Sequence, residues 1–145
     1  MHPRLQQDLD QFPQILDHTR QLAETFLGGI KQRPVCPPLD AQQLQPGDDQ
    51  LAEGGKGAIA ALDHFWQRYA EGISASAGPR YFGFVTGGAT PAALAADWLV
   101  SAIDQNSQLS QDTVAAAIEL ATVNQLKTLL GLPETFNGSF VSGAT

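Results

Sequence analysis

Phe136-Asn137-Gly138-Ser139-Phe140-Val141-Ser142-Gly143-Ala144-Thr145 closes the chain, and its pattern decides how the rest is read. A short apolar run, Phe140-Val141, leads into a turn of small residues with a hydroxyl at its end. Many α/β proteins use a strand followed by such a turn to present backbone N–H groups to a phosphate, and a helix N-terminus then completes the site. No residue follows Thr145 here. The expectation is therefore the front part of a larger protein, cut where its ligand site begins.

Composition points the same way. Of the 145 residues, 16% are charged and 43% hydrophobic, whereas soluble domains carry about 25% charged residues. Either a missing C-terminal part or a second subunit covers much of the surface, or the chain is simply an Ala-rich helical protein. The formal charge is −7 and the pI is near 4.6. With no basic stripe, such a chain is repelled by phosphate backbones, so nucleic acid is not expected as a partner. A single cysteine, Cys36, excludes an internal disulfide, and no Cys/His spacing resembles a zinc site, so no metal is expected. The N-terminus is polar and lacks a signal-peptide core. No run approaches the roughly 18 apolar residues of a membrane span. The expected location is the cytoplasm.

Working back from the C-terminus, Val114, Ile118, Ala121, Val123, Leu126, Leu129 and Leu130 predict a helix over 113–130, capped by Asp112 or Thr113 and stopped by Gly131 and Pro133. Its apolar residues cover more than one stripe, as in a helix sandwiched between other elements. Thr90 and Pro91 open a helix that runs to about 103, at the N-cap and first helical positions they favour. A third helix covers 57–71, with Ala58, Leu62, Phe65 and Tyr69 on one face and Ile59 and Trp66 widening it. Residues 72–79 read as a loop. Residues 33–49, with three prolines in 34–38 and a Pro-Gly pair, read as an extended strap or linker. Residues 4–29 read as helix, with Leu9, Phe12, Leu16, Ala23, Phe26 and Leu27 recurring at helical spacing. Pro13 starts a new segment or kinks this one, and Gly28-Gly29 ends it.

Few residues offer chemistry by pattern alone. Gly54-Gly55-Lys56-Gly57 fails as a P-loop, since no Ser or Thr follows the lysine and the glycine spacing is wrong. Thr86-Gly87-Gly88-Ala89-Thr90 precedes a helix, where N–H groups attract anions. Glycines serve equally where chain segments pack closely, so ligand contact and packing both stand. His64, among Leu62, Phe65 and Trp66, reads as a half-buried structural histidine, and His2 and His18 as surface residues. Arg80 and Asp97 read as structural charges. No nucleophile with its base, no carboxylate pair and no metal cluster emerges.

Four stretches resemble one family. Gly78-Pro-Arg-Tyr-Phe-Gly-Phe-Val-Thr-Gly-Gly-Ala-Thr-Pro-Ala-Ala-Leu-Ala-Ala-Asp-Trp-Leu is similar to the "HPRFFGFV-x-GG-x-x-PAA-x-x-AD-x-L" block of pyridoxal-phosphate-dependent group II amino-acid decarboxylases, which include the aromatic-amino-acid, histidine and glutamate decarboxylases. Asp104-Gln105-Asn106 resembles their "DQN" stretch. Glu119 with Leu129-Leu-Gly-Leu-Pro133 resembles "ELE…LLGLP". Gly138-Ser-Phe-Val-Ser-Gly-Ala-Thr145 resembles "G-x-F-x-SGxT". Order and spacing also fit, over residues 78–145. Gly78 replaces the family's histidine, Ala117 the first Glu of "ELE", and Asp112-Thr113 a common Ser-Pro.

The resemblance implies an aspartate-aminotransferase-like α/β architecture (fold type I), mainly α as a separate chain. Residues 1–77 would be an N-terminal helical arm and linker that wraps a second subunit of a homodimer. Residues 78–145 would begin the cofactor-binding large domain, truncated at Thr145. The implied cofactor is pyridoxal 5'-phosphate, the implied activity is decarboxylation of an L-amino acid, and the implied partners are the remaining C-terminal part, the second subunit and the amino-acid substrate. Gly143, Ala144 and Thr145 match positions that hold the cofactor phosphate. Phe84, Val85 and Thr86 match a stretch lining the substrate side of the pocket, and residues 106–108 a region near the neighbouring subunit's pocket. Lys31, Lys56 and Lys127 lack the His-Lys context of the lysine that holds the cofactor, so no catalytic residue is assigned in this chain, which alone is expected to be inactive. A non-catalytic helical assembly module or remnant, and another fold-type-I enzyme, are the alternatives.

Overall fold

The structure, a computed structural model, describes residues 1–39, 53–105 and 113–141. The elements are α1 (Pro3–Asp10), α2 (Phe12–Gly28), α3 (Ala58–Tyr69) continued by a 3-10 turn (Ala70–Gly72), α4 (Pro91–Ile103) and α5 (Ala115–Leu129). The described residues contain helices and loops and no strand. The chain is thus mainly helical. Phe140 and Val141, read from sequence as a strand leading into a turn, form no ladder. A strand exists through the N–H and C=O groups of a neighbour, and none is present among the described residues. Two compact units divide the chain, Met1–Ala89 and Thr90–Thr145.

In the first unit, Pro13 does what its missing N–H requires. The helix breaks at Gln11, and Pro13 sits in the opening turn of α2. His2 caps α1, its Nδ1 accepting from the Arg4 N–H at 3.2 Å. Gly29 follows α2. The inner face of α2 is Ile15, His18, Leu22 and Phe26, which are partly buried. Leu9, Phe12 and Leu16, expected on that face, instead continue an outer stripe with Leu5, each about half exposed. On α3 the partly buried side is Ile59, Leu62, Asp63 and Trp66, not Phe65 and Tyr69. Two contacts set this rotation. The Phe26 and Trp66 rings meet edge to face at 6.5 Å, and His18 Nε2 lies 2.7 Å from Asp63 Oδ1. Phe65 and Tyr69 pair with each other on the outside.

Gly57 precedes α3 with φ +82° and offers no side-chain cap. Asp8 of α1 takes over, its Oδ1 accepting from the Ala58 N–H at 3.1 Å. A carboxylate at this position meets the positive end of the helix. The strap end is clipped down by Arg33. Its guanidinium lies 4.7 Å from the Phe26 ring centroid, and Nη2 donates to the Ala70 carbonyl. Arg80 Nη2 donates to the Arg33 carbonyl at 2.6 Å, and Ser74 Oγ to the Val35 carbonyl at 2.6 Å. Ala70 and Ala75, the buried apolar residues of the described chain, sit at this junction.

In the second unit, Thr90 caps α4 through an N–H bond from Ala93 at 3.2 Å, as its residue type predicts. Val114 rather than Asp112 or Thr113 precedes α5, and Thr113 Oγ1 accepts from the Ala115 N–H at 3.4 Å. Asp112 lies outside the described residues. Gly131, at φ +64°, ends α5. Its N–H bonds the Thr128 carbonyl and that of Leu132 bonds Lys127, the paired bonds of a Schellman motif. Trp98, Leu99, Val100 and Ile103 on α4, and Ile118, Leu120 and Leu129 on α5, are exposed.

Candidate functional site

Among the described residues, 83–86 place two consecutive non-glycine residues at positive φ. The Thr86 N–H bonds the Gly83 carbonyl at 3.2 Å, closing a four-residue turn. Its two central residues, Phe84 and Val85, have φ of +52° and +58°. These are the signs of a type I′ turn, which normally takes Asn-Gly or Asp-Gly. A β-branched residue at positive φ is a true outlier, and each such residue costs about 1–2 kcal/mol. Such strain concentrates where function demands it.

The turn is held from both sides. Thr86 Oγ1 also donates to the Gly83 carbonyl, at 2.7 Å. Gly83 permits the Tyr81 ring to approach, since a Cβ there would stand 2.8 Å from the tyrosine hydroxyl. Phe84 and Val85 are consequently thrust outward, 95% and 102% exposed, with Phe82 beside them. The three residues expected to line a substrate pocket therefore stand together on one turn. Phe84 and Val85 offer apolar surface, while the Thr86 hydroxyl is engaged within the turn.

The neighbouring glycines separate the two readings of 86–90. Gly88 has φ +77°, and a Cβ on it would meet the Ala77 carbonyl at 3.2 Å. Its conformation and packing require glycine without a ligand. Gly87 faces open space. Thr90 spends its hydroxyl on its own helix.

Gly143, Ala144 and Thr145, expected at the cofactor phosphate, lie outside the described residues, as do residues 106–108. No group of three His, Cys, Asp or Glu able to hold a metal occurs among the described residues. None of the described helices is long and apolar enough to cross a membrane.

Sequence reading missed several polar groups. His18 is three-quarters buried against Asp63 rather than a surface residue, and His64 is exposed rather than half-buried. The signal available for His18 was its three-residue spacing from Ile15 on a face that continues to Leu22 and Phe26. Arg80 is structural as expected, but its partner is the Arg33 carbonyl, which no motif announces. Among exposed charges, Asp17 is held below the usual carboxylate range, chiefly by its hydrogen bond from Arg20. Arg20 is raised in turn by Asp17 and then Glu24.

Among curated proteins, the chain is similar to an aromatic-L-amino-acid decarboxylase of Bacillus atrophaeus, with 26% identity over 147 residues. The match takes in 100% of this chain and 31% of that protein, so the chain spans about a third of the length of the curated relative. No protein-family profile and no solved structure matches it.

Proposed function

We propose that the chain is the N-terminal segment of a pyridoxal-phosphate-dependent L-amino-acid decarboxylase of fold type I. The observation that carries this is the match of the whole of this chain to about a third of an aromatic-L-amino-acid decarboxylase, joined to the motif blocks at 78–99 and 138–145. In this reading Phe84, Val85 and Thr86 form a wall of the substrate pocket. Their strained, outward turn supports it, because exposed apolar residues held at a backbone cost have no folding rationale of their own. Gly143, Ala144 and Thr145 contribute N–H and hydroxyl donors to the cofactor phosphate. When bound, the cofactor supplies an electron sink for the carbanion left by carbon dioxide. The lysine that holds it belongs to the remaining polypeptide.

The exposed stripe of Leu5, Leu9, Phe12 and Leu16, with the apolar faces of α4 and α5, would be covered by that remainder and by the second subunit of a homodimer. A second reading, a non-catalytic helical assembly module, draws on the wholly helical character of the described elements.

The test is to express the chain joined to the polypeptide encoded after it and to measure carbon dioxide release from a panel of L-amino acids with added pyridoxal phosphate. Release from at least one is expected, and Thr145→Ala should weaken cofactor binding by on the order of 1 kcal/mol. A joined protein that dimerises but binds no cofactor favours the second reading.

A further inference from the structure

Residues 77–88 form a loop whose ends touch and whose tip is the strained turn. At its base Gly78 is buried, and a Cβ there would stand 2.9 Å from Ile30 Cγ1 and 3.1 Å from the Ala75 carbonyl oxygen. The Gly78 N–H bonds that Ala75 carbonyl at 2.9 Å, and the Tyr81 N–H bonds the Gly78 carbonyl at 3.3 Å. Arg80 ties the same stem to the Arg33 carbonyl. At the other end Gly88, at φ +77°, lies against the Ala77 carbonyl. A short surface loop with its ends together, packed by its own side chains, is an Ω-loop, a form that often carries function.

Between base and tip, the partly buried Tyr81 side chain lies on Gly83. Its Oη, Cζ and Cε1 atoms fall 2.8, 2.9 and 3.1 Å from where a Gly83 Cβ would be. The φ of Gly83 is not positive, so the ring and not the backbone demands glycine there. The two hydrogen bonds into the Gly83 carbonyl return no more than two consecutive residues at positive φ cost. Further contact has to hold the turn, and the Tyr81 ring supplies it from within the loop.

We infer that Tyr81 is a positioning residue, whose ring braces Gly83 and so fixes where Phe84 and Val85 stand. This rests on the proposed role of that turn as a wall of the substrate pocket. Such a wall touches substrate and transition state alike, so displacing it raises KM and leaves kcat in place.

The polypeptide continued past Thr145 provides the test, through two readouts on each variant. Tyr81→Ala should speed hydrogen exchange at the Thr86 amide about 3- to 10-fold and raise KM for the decarboxylated amino acid by a similar factor. Its kcat and its Kd for pyridoxal phosphate should stay within about twofold of wild type. Tyr81→Phe, which keeps the ring, should stay near wild type in both readouts. Gly83→Ala should act like Tyr81→Ala by pushing the ring away. The double variant should be no worse than Tyr81→Ala alone, because the ring that the added methyl would strike is gone. Unchanged exchange in both Tyr81→Ala and Gly83→Ala overturns the inference, as does faster exchange with an unchanged KM, or a loss in Tyr81→Phe equal to that in Tyr81→Ala. If the wild-type protein releases carbon dioxide from no amino acid, the functional reading fails, and exchange at Thr86 alone decides whether Tyr81 braces the turn.

Discussion

The two units of this chain solve the same problem differently. In Met1–Ala89, residues far apart in sequence are tied by specific polar contacts, including Asp8 to Ala58, His18 to Asp63, Arg33 to Ala70 and Arg80 to Arg33. Among the described residues of Thr90–Thr145 the hydrogen bonds are mostly local caps and turns, and most of the large side chains of α4 and α5 are exposed. The charge pattern follows the same split. Counting from the sequence, residues 1–89 carry 7 Lys and Arg with 10 Asp and Glu, and residues 90–145 carry 1 and 5. A surface with few charges and many exposed leucines is ordinary for a region covered by other polypeptide. Thus the first unit is tied by named long-range contacts, whereas the described part of the second carries exposed apolar helix faces and few charges.

The tryptophans test that contrast most strongly. Trp66, partly buried against Phe26, should cost on the order of 3 kcal/mol when cut to alanine, read by denaturant unfolding. Trp98, 40% exposed, should cost under about 1 kcal/mol in this chain by itself. Equal losses would erase the difference between the units.

The turn at 83–86 sharpens the comparison, because two consecutive non-glycine residues there stand at positive φ at a cost in stability. Val85→Gly removes the strain of φ +58° but loosens the unfolded chain. The net expectation is a gain of up to about 1 kcal/mol in thermal unfolding. A loss would mean that the valine packs usefully where it stands.

Smaller still is the His18–Asp63 pair. Its carboxylate side is 46% exposed, so a double-mutant cycle with His18→Ala and Asp63→Ala should give a coupling of about 0.5 kcal/mol. The least effect belongs to Asp17. Its carboxyl is held below the usual range by Arg20, so its stabilising contribution is present above the ordinary carboxylate pKa. The contribution fades as pH falls through the lower folded value. Far-UV helicity of Asp17→Asn should therefore differ from wild type at neutral pH and converge with it in strong acid.

Much of the helical layout was legible in the sequence, because caps and breakers act locally. Thr90, Pro91, Gly131 and Pro13 each mark a boundary that the structure keeps. The faces were less legible. Helices α2 and α3 each carry two apolar stripes, and periodicity cannot say which one meets a neighbour. That choice was made by Phe26 meeting Trp66 and by His18 meeting Asp63, pairs separated by about forty residues. The candidate site was legible only in part. The spacing of motifs gathers Phe84, Val85 and Thr86, but nothing in the residue types foretells a left-handed turn at a valine.

Pyridoxal phosphate binding by residues 1–145 alone, set beside binding by the polypeptide continued past Thr145, tests the central claim most directly. Binding by the longer protein with none by the shorter is the predicted result. Tight, stoichiometric binding by residues 1–145 alone would contradict it.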